Sequence, residues 1–132
     1  VSYYNRRREV SDLVGETLIQ ILGMSPNSAF DDEITFYTAS GKEFRMYHRQ
    51  DCCESVYLAD VVGDPTDLIG FPLLVAKEIN GNHPPAHDYT ESYTWTFYEF
   101  ATNKGTVQLR WYGESNGYYS ESVDFEEVIK NA

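Results

Sequence analysis

The chain has 132 residues, which suits one domain rather than two, and its 42 % hydrophobic content argues against disorder. Ten Lys and Arg against 21 Asp and Glu give a net charge of −11. That balance excludes a protein that grips nucleic acid directly through its phosphates, and there is no apolar run of ~18 residues to span a membrane as a helix.

Residues 1–8 read as a polar arm and hold Arg6, Arg7 and Arg8. Residues 9–132, read as one β-rich domain, then carry seven positive side chains against all 21 acids, a net of −14. Val10, Leu13, Val14 and Leu18 keep helical spacing, so a turn of helix is expected around Ser11–Val14, capped by Ser11 or Asp12. A strand is expected from about Glu16 to Leu22. Residues 23–32 hold Gly, Pro, Asn, Ser and Asp and read as a loop. Ile34 and Phe36 share one face of a strand over 33–38. Ala39–Lys42 turns the chain, and Phe44, Met46 and His48 share one face of its partner over 43–48.

A strand near Ser55–Leu58 follows, then a turn at Gly63–Asp67, where Asp64 or Thr66 is placed to cap one helical turn through Ile69. Phe71–Ile79 reads as a strand. Asn80–Glu91, with Gly, two Pro and two His, reads as the least ordered internal stretch. The strongest strand pattern runs over 92–101, with Tyr93, Trp95 and Phe97 on one face and Thr94, Thr96 and Tyr98 on the other. Asn103–Gly105 turns the chain into a partner over 106–112, with Val107, Leu109 and Trp111 inward. Residues 113–120 form a loop, and 122–129 an edge strand or a short terminal helix. The expected fold is α+β, mostly β: a single compact domain with a twisted, mainly antiparallel sheet of about seven strands and one or two short helices. Ile34, Phe36, Phe44, Trp95, Phe97 and Leu109 are its expected core.

Cys52 and Cys53 are the only cysteines. A disulfide between neighbours strains the geometry such bonds prefer, so both are expected reduced, as small buried hydrophobes near a bend. The polar start lacks the apolar stretch of a secretion signal, which points to a reducing setting, the cytoplasm of a bacterial host cell.

Two stretches are distinctive beyond composition: Arg45-Met-Tyr-His-Arg-Gln-Asp-Cys-Cys-Glu-Ser-Val56, and Arg110-Trp-Tyr-Gly-Glu-Ser-Asn-Gly-Tyr-Tyr-Ser-Glu121 with Glu91-Ser-Tyr-Thr-Trp-Thr-Phe-Tyr98 before it. With Gly63-Asp-Pro-Thr-Asp-Leu-Ile-Gly70 they resemble a family of small acidic proteins of unknown function encoded by bacteriophages and bacterial mobile elements. The resemblance covers roughly residues 13–126. It implies a phage accessory protein and transfers no catalytic residue. Accessory proteins of this size often antagonise host defence, and the acidity suits competition for a basic groove.

His48, Asp51, Cys52, Cys53 and Glu54 gather reactive types. Imidazole and thiolate are good zinc ligands, with His83, His87 and Asp88 as distant partners, but adjacent cysteines chelate badly, and no metal or cofactor is assigned. A Cys–His nucleophile needs a lowered thiol pKa. Arg49 would help, whereas Asp51 and Glu54 raise it. No phosphate loop, H-E-x-x-H or G-x-S-x-G occurs, so the chain reads as non-catalytic.

Residues 110–124 are the binding candidate. Tyr112, Tyr118 and Tyr119 offer flat contact area at low entropic cost. Ser115 and Asn116 add adaptable hydrogen bonds, and Arg110, Glu114, Glu121 and Asp124 add charge. Acids at 31–33 and 121–127 would mimic nucleic-acid phosphates if a strand exposed them at ~6.8 Å intervals. The expected function is an inhibitor of a host defence system, acting on a host or phage protein with a basic surface. The alternative is a nucleotide sponge built on Trp111–Tyr119.

Overall fold

The computed structural model describes residues 2–26, 32–81, 83–88 and 90–131. Its strands are β1 (Ser2–Arg7), β2 (Leu18–Leu22), β3 (Glu33–Thr38), β4 (Glu43–Tyr47), β5 (Ser55–Val62), β6 (Val75–Ile79), β7 (Ser92–Thr102), β8 (Gly105–Ser115) and β9 (Asp124–Asn131). They form two antiparallel sheets, ordered β1-β9-β4-β3-β2 and β5-β8-β7-β6. Single 3₁₀ turns stand at Val10–Leu13 and Pro65–Leu68. The domain is therefore mostly β, as its alternating pattern predicts, but the strands divide between two facing sheets.

Alternation explains both hairpins. In β3 and β4 the residues Ile34, Phe36, Phe44 and Met46 are buried, and Phe36 pairs with Phe44 in register. Phe125 of β9 stacks on Phe44 at 5.5 Å. Across the sandwich, Phe36 meets Phe100 of β7 at 5.6 Å, and Leu58, Val107, Leu109 and Trp111 complete the opposite wall. Burying each such side chain contributes roughly 1.5–3 kcal/mol. The buried Asp32 carboxylate accepts the Leu58 N–H at 2.8 Å, beside a register shift between Leu58 and Asp60.

Several expectations are corrected. The polar residues 2–7 are exposed yet pair with β9 along their whole length. Residues 124–131 form a strand between β1 and β4, neither an edge nor a helix. The first turn starts at Val10, with Glu9 as its N-cap, and Asp12 reaches back to the Glu9 N–H. Asp64 does cap the second turn, accepting the Thr66 N–H at 3.0 Å. The strand expected from Phe71 begins only at Val75, because Leu73 is hydrogen-bonded with Gly15 and Glu16 at the entry to β2. Part of the loop expected over 23–32, including Asp31, lies outside the described residues.

The main correction concerns β7. Its core face carries Tyr98 and Phe100, in register with Leu109 and Val107. Tyr93, Trp95 and Phe97 lie on the outer face with Tyr112, which is opposite Trp95. Phe97 is buried there, but Trp95 is only half-buried and stands outside the core.

Candidate functional site

The strand β8 runs into a turn that folds back on it. Gly113 makes this approach feasible: a Cβ there would lie 2.7 Å from the Glu121 carbonyl oxygen. The returning Glu121 carboxylate accepts the Thr94 hydroxyl at 2.8 Å and the Ser115 hydroxyl. Ser115 Oγ accepts the Gly117 N–H at 2.9 Å, and Asn116 Oδ1 accepts the Tyr118 N–H at 3.0 Å. Gly117 takes φ +94°, a conformation that suits glycine. The result is a cross-braced turn with Tyr118 at its tip, 83 % exposed and edge-on to Tyr119 at 5.0 Å.

The outer face of the four-stranded sheet holds a second aromatic cluster. Tyr112 contacts Trp95 at 4.7 Å, Tyr57 at 5.8 Å and Tyr93 at 6.3 Å. The segment 83–88 lies over it. Trp95 Nε1 donates to the Pro84 carbonyl at 3.0 Å, and the Ala86 N–H donates to the Tyr112 hydroxyl at 3.1 Å. The Glu114 carboxylate fastens the rim, accepting the Tyr112 hydroxyl at 2.9 Å and the Thr90 hydroxyl at 3.0 Å. His83 and His87 therefore serve as aromatic neighbours of this cluster.

The structure distributes the nine residues expected to bind. Glu114, Ser115 and Asn116 line a crevice of about 300 Å³ with His87, Asp88 and Glu91. Tyr119 and Glu121 line another of about 420 Å³. Tyr118 lines neither crevice and stands exposed on the turn between Asn116 and Tyr119. Three others stand apart. Tyr112 is fully buried. Arg110 lies over the Phe97 ring at 5.4 Å and 3.8 Å from Asp60. Asp124 accepts the Arg49 N–H at 2.9 Å. The sequence offers His87 and Asp88 only as distant metal partners and does not mark Thr90 or Glu91, because their segment has no periodic pattern; the fold brings all four to the first crevice. Their partner Glu114 is reached only through tertiary contact.

The acids of β9 do not form a bare row. Glu126 accepts the Tyr47 hydroxyl at 2.7 Å and pairs with Arg49 at 2.9 Å, while Glu127 pairs with Arg8 at 2.9 Å. Burial pushes the Glu126 carboxyl up, and the bonds from Tyr47 and Arg49 outweigh it and hold it below its ordinary range.

Cys52 and Cys53 are exposed and joined to each other in a disulfide, which corrects the expectation of buried thiols. The turn that places them is organised by Glu54, whose carboxylate accepts the N–H groups of Asp51 at 2.9 Å and Cys52 at 2.8 Å. His48 Nε2 lies 2.8 Å from the same carboxylate, and Nδ1 lies 2.7 Å from the Ser122 carbonyl. Both ring nitrogens of His48 are thus engaged in hydrogen bonds.

The family described as Domain of unknown function (DUF7448) matches residues 11–125, and the chain belongs to that family. No curated protein and no solved structure matches the chain. Among the described residues, no helix is long and apolar enough to cross a membrane.

Proposed function

We propose that this DUF7448 member works by binding rather than turnover, as an accessory protein of a bacteriophage or mobile element that inhibits a host protein with a basic surface in the bacterial cytoplasm. The observation that carries this reading is Tyr118: a large aromatic, 83 % exposed, on a turn already ordered by hydrogen bonds. An exposed aromatic on a rigid support loses little entropy on contact, as interface hot spots do. Asp88 and Glu91, both exposed beside the turn, give the surface its preference for a basic partner. Protein contact fits better than a phosphate ladder, because the β9 acids are engaged with Arg8, Arg49 and Tyr47. A non-catalytic role is supported by Cys52 and Cys53, which are joined to each other and present no thiol, and by His48, whose ring nitrogens are both engaged.

The test is capture of partners from phage-infected bacteria on the immobilised chain, followed by affinity measurement with the purified partner. Tyr118→Ala should weaken binding by ~2 kcal/mol or more, and raising salt should slow association. A partner bound equally well by Tyr118→Ala, with no salt dependence, refutes the reading.

A further inference from the structure

β1 ends the five-stranded sheet, and it is the only described strand exposed at every residue. Ordering a strand costs conformational entropy, and here no apolar burial offsets it. Its ladder to β9 is regular over its whole length. Hydrogen-bond parity fixes what that ladder leaves over. The Arg8 N–H donates to the Phe125 carbonyl at 3.0 Å, directly after the pair Arg7–Glu126. Directly opposed residues of an antiparallel pair alternate between bonded and non-bonded, so Arg6 and Tyr4 also bond inward, to Glu127 and Ile129. The backbone N–H and C=O groups of Tyr3, Asn5 and Arg7 therefore point away from β9, to the free edge.

Among the described residues, the other three sheet edges are blunted. β2 shifts register between Leu18 and Gln20, and the Leu18 carbonyl at its start accepts the Gly70 N–H at 2.9 Å. β5 shifts register between Leu58 and Asp60, and the Asp32 carboxylate takes the Leu58 N–H. β6 is short, carries Lys77 and Glu78, and packs against the Val10–Leu13 turn. Bulges, short charged strands and covered edges are how sheets avoid pairing with other chains. β1 has no bulge and no cover.

Charge alone can also blunt an edge, but Arg6 and Arg7 stand opposite Glu127 and Glu126. Across β1 and β9, Arg6, Arg7 and Lys130 balance Asp124, Glu126 and Glu127. In a chain of net charge −11, this ribbon is neutral. Self-repulsion keeps copies of so acidic a protein apart, and it is weakest where two such ribbons meet.

We propose that β1 pairs antiparallel with β1 of a second copy of this chain, about a twofold axis at Asn5, joining two five-stranded sheets into one. Parity lets outward-bonding residues face only one another. With Asn5 opposite Asn5 of the second copy, Tyr3 faces Arg7 and Tyr4 faces Arg6. Each ring then meets a guanidinium on the same sheet face, a favourable cross-strand contact. Tyr3 and Tyr4, 64 % and 45 % exposed in the single chain, gain cover. The next register one way sets Arg6 against Arg6, and the next the other way takes both arginines off the tyrosines. One strand thus supplies both halves of the match, as a twofold interface requires. None of these residues lines the crevices beside the Tyr118 turn, so the dimer and the partner-binding reading stand or fall separately.

The test is sedimentation equilibrium of the full chain from about 10 µM to about 1 mM, because so short an edge gives a reversible dimer, with amide hydrogen exchange read residue by residue. A monomer–dimer equilibrium should appear. The amides of Tyr4 and Arg6 should be protected at every concentration, whereas those of Tyr3, Asn5 and Arg7 should exchange at least fivefold more slowly once the dimer fills. Asn5→Pro removes an outward N–H and leaves the inward ladder whole. It should weaken dimerisation at least tenfold, with Tyr4 and Arg6 still protected. Asn5→Ala loses the side-chain bond to Glu126 but keeps the N–H, and should dimerise as the wild type does. Tyr3→Ser with Tyr4→Ser alters exposed side chains alone, so it remains informative should Asn5→Pro detach β1, and it should weaken the dimer at least fivefold. The proposal is overturned by a monomer at about 1 mM, by a dimer that survives both Asn5→Pro and the tyrosine pair, by a dimer with Tyr3, Asn5 and Arg7 unprotected, or by open-ended growth, which would mean that β1 meets a different edge.

Discussion

His48 and Glu54 meet in a buried hydrogen bond of 2.8 Å that ties the exit of β4 to the entry of β5. The same carboxylate collects two backbone N–H groups of the intervening turn. The His48 ring reaches on to the Ser122 carbonyl at 2.7 Å. One buried pair thus links the turn bearing the cysteines to the segment that follows the Tyr118 turn. Removing one partner of such a pair strands a buried polar group, at a cost of about 3–5 kcal/mol.

Burial alone pushes the Glu54 carboxyl up, but hydrogen bonds from His48, Cys52 and Asp51 outweigh it and hold the pKa at about 2, against 4.5 when unperturbed. A carboxyl depressed in the folded state contributes stability that is fully present above its unfolded pKa. That contribution is lost as pH falls through the window from about 4.5 to about 2. Urea unfolding of the wild type should therefore weaken steeply across this window. Glu54→Gln should be destabilised at pH 7 and show a shallower acid slope. Parallel slopes in the two proteins would remove Glu54 from this role.

The two tryptophans should separate in stability. Trp111 is 1 % exposed in the main core, and Trp111→Ala should cost ~3–5 kcal/mol. Trp95 is half-buried outside that core, and Trp95→Ala should cost about 1–3 kcal/mol. Its loss also removes the bond to Pro84. Hydrogen exchange at Ala86 should then accelerate while β3 and β4 remain protected. Equal costs for the two substitutions would contradict the placement of Trp95 on the outer face.

The difference between these residues shows what the sequence could and could not disclose. Alternation identified the strand over 92–101 and its partner, because period-two patterns survive in any register. It could not tell which face is inward from Phe97 onward, since Phe97, Tyr98 and Phe100 are all apolar. The sheet facing Tyr98 decides that. Ser2–Arg7 carries no apolar periodicity and buries nothing, so only its pairing with β9 reveals a strand. The aromatic turn was legible from composition. Its crevices were not, because Glu91 and Asp88 join Glu114 through the fold alone. One usable signal existed: Gly113, a glycine inside a strong strand, marks a close backbone approach.

The Cys52–Cys53 disulfide closes almost no chain, its partners being one residue apart. Cross-links that close so short a loop remove little unfolded-state entropy. Glu54 and Gln50 brace the turn independently, with Gln50 donating to the Glu54 carbonyl at 2.6 Å. Cys52→Ser with Cys53→Ser should change stability by less than about 1 kcal/mol, measured by urea unfolding under oxidising and reducing conditions. A loss of ~3 kcal/mol would show that the disulfide, not Glu54, organises this turn.

Gly113→Ala tests whether the Tyr118 turn depends on close packing against β8. The new methyl would lie 2.7 Å from the Glu121 carbonyl oxygen, 3.0 Å from the Glu121 Cβ and 3.1 Å from Val56 Cγ2. Backbone on one side and a packed core residue on the other leave no flexible neighbour to give way. Overpacking of this kind costs about 1–3 kcal/mol. Relief requires the 119–123 segment to lift, which breaks the Glu121 bonds to Thr94 and Ser115. Stability should therefore fall, and amide exchange over 117–122 should accelerate more than elsewhere. Gly117→Ala is the control. A Cβ there meets nothing within 4 Å, and the strain comes only from φ +94°, roughly 1–2 kcal/mol. It should leave the Glu121 anchor, and exchange at 121–122, unchanged. If Gly113→Ala is as stable as the wild type, or exchange is unaltered, the turn does not rely on this approach and its rigidity must come from the Ser115 and Asn116 bonds alone.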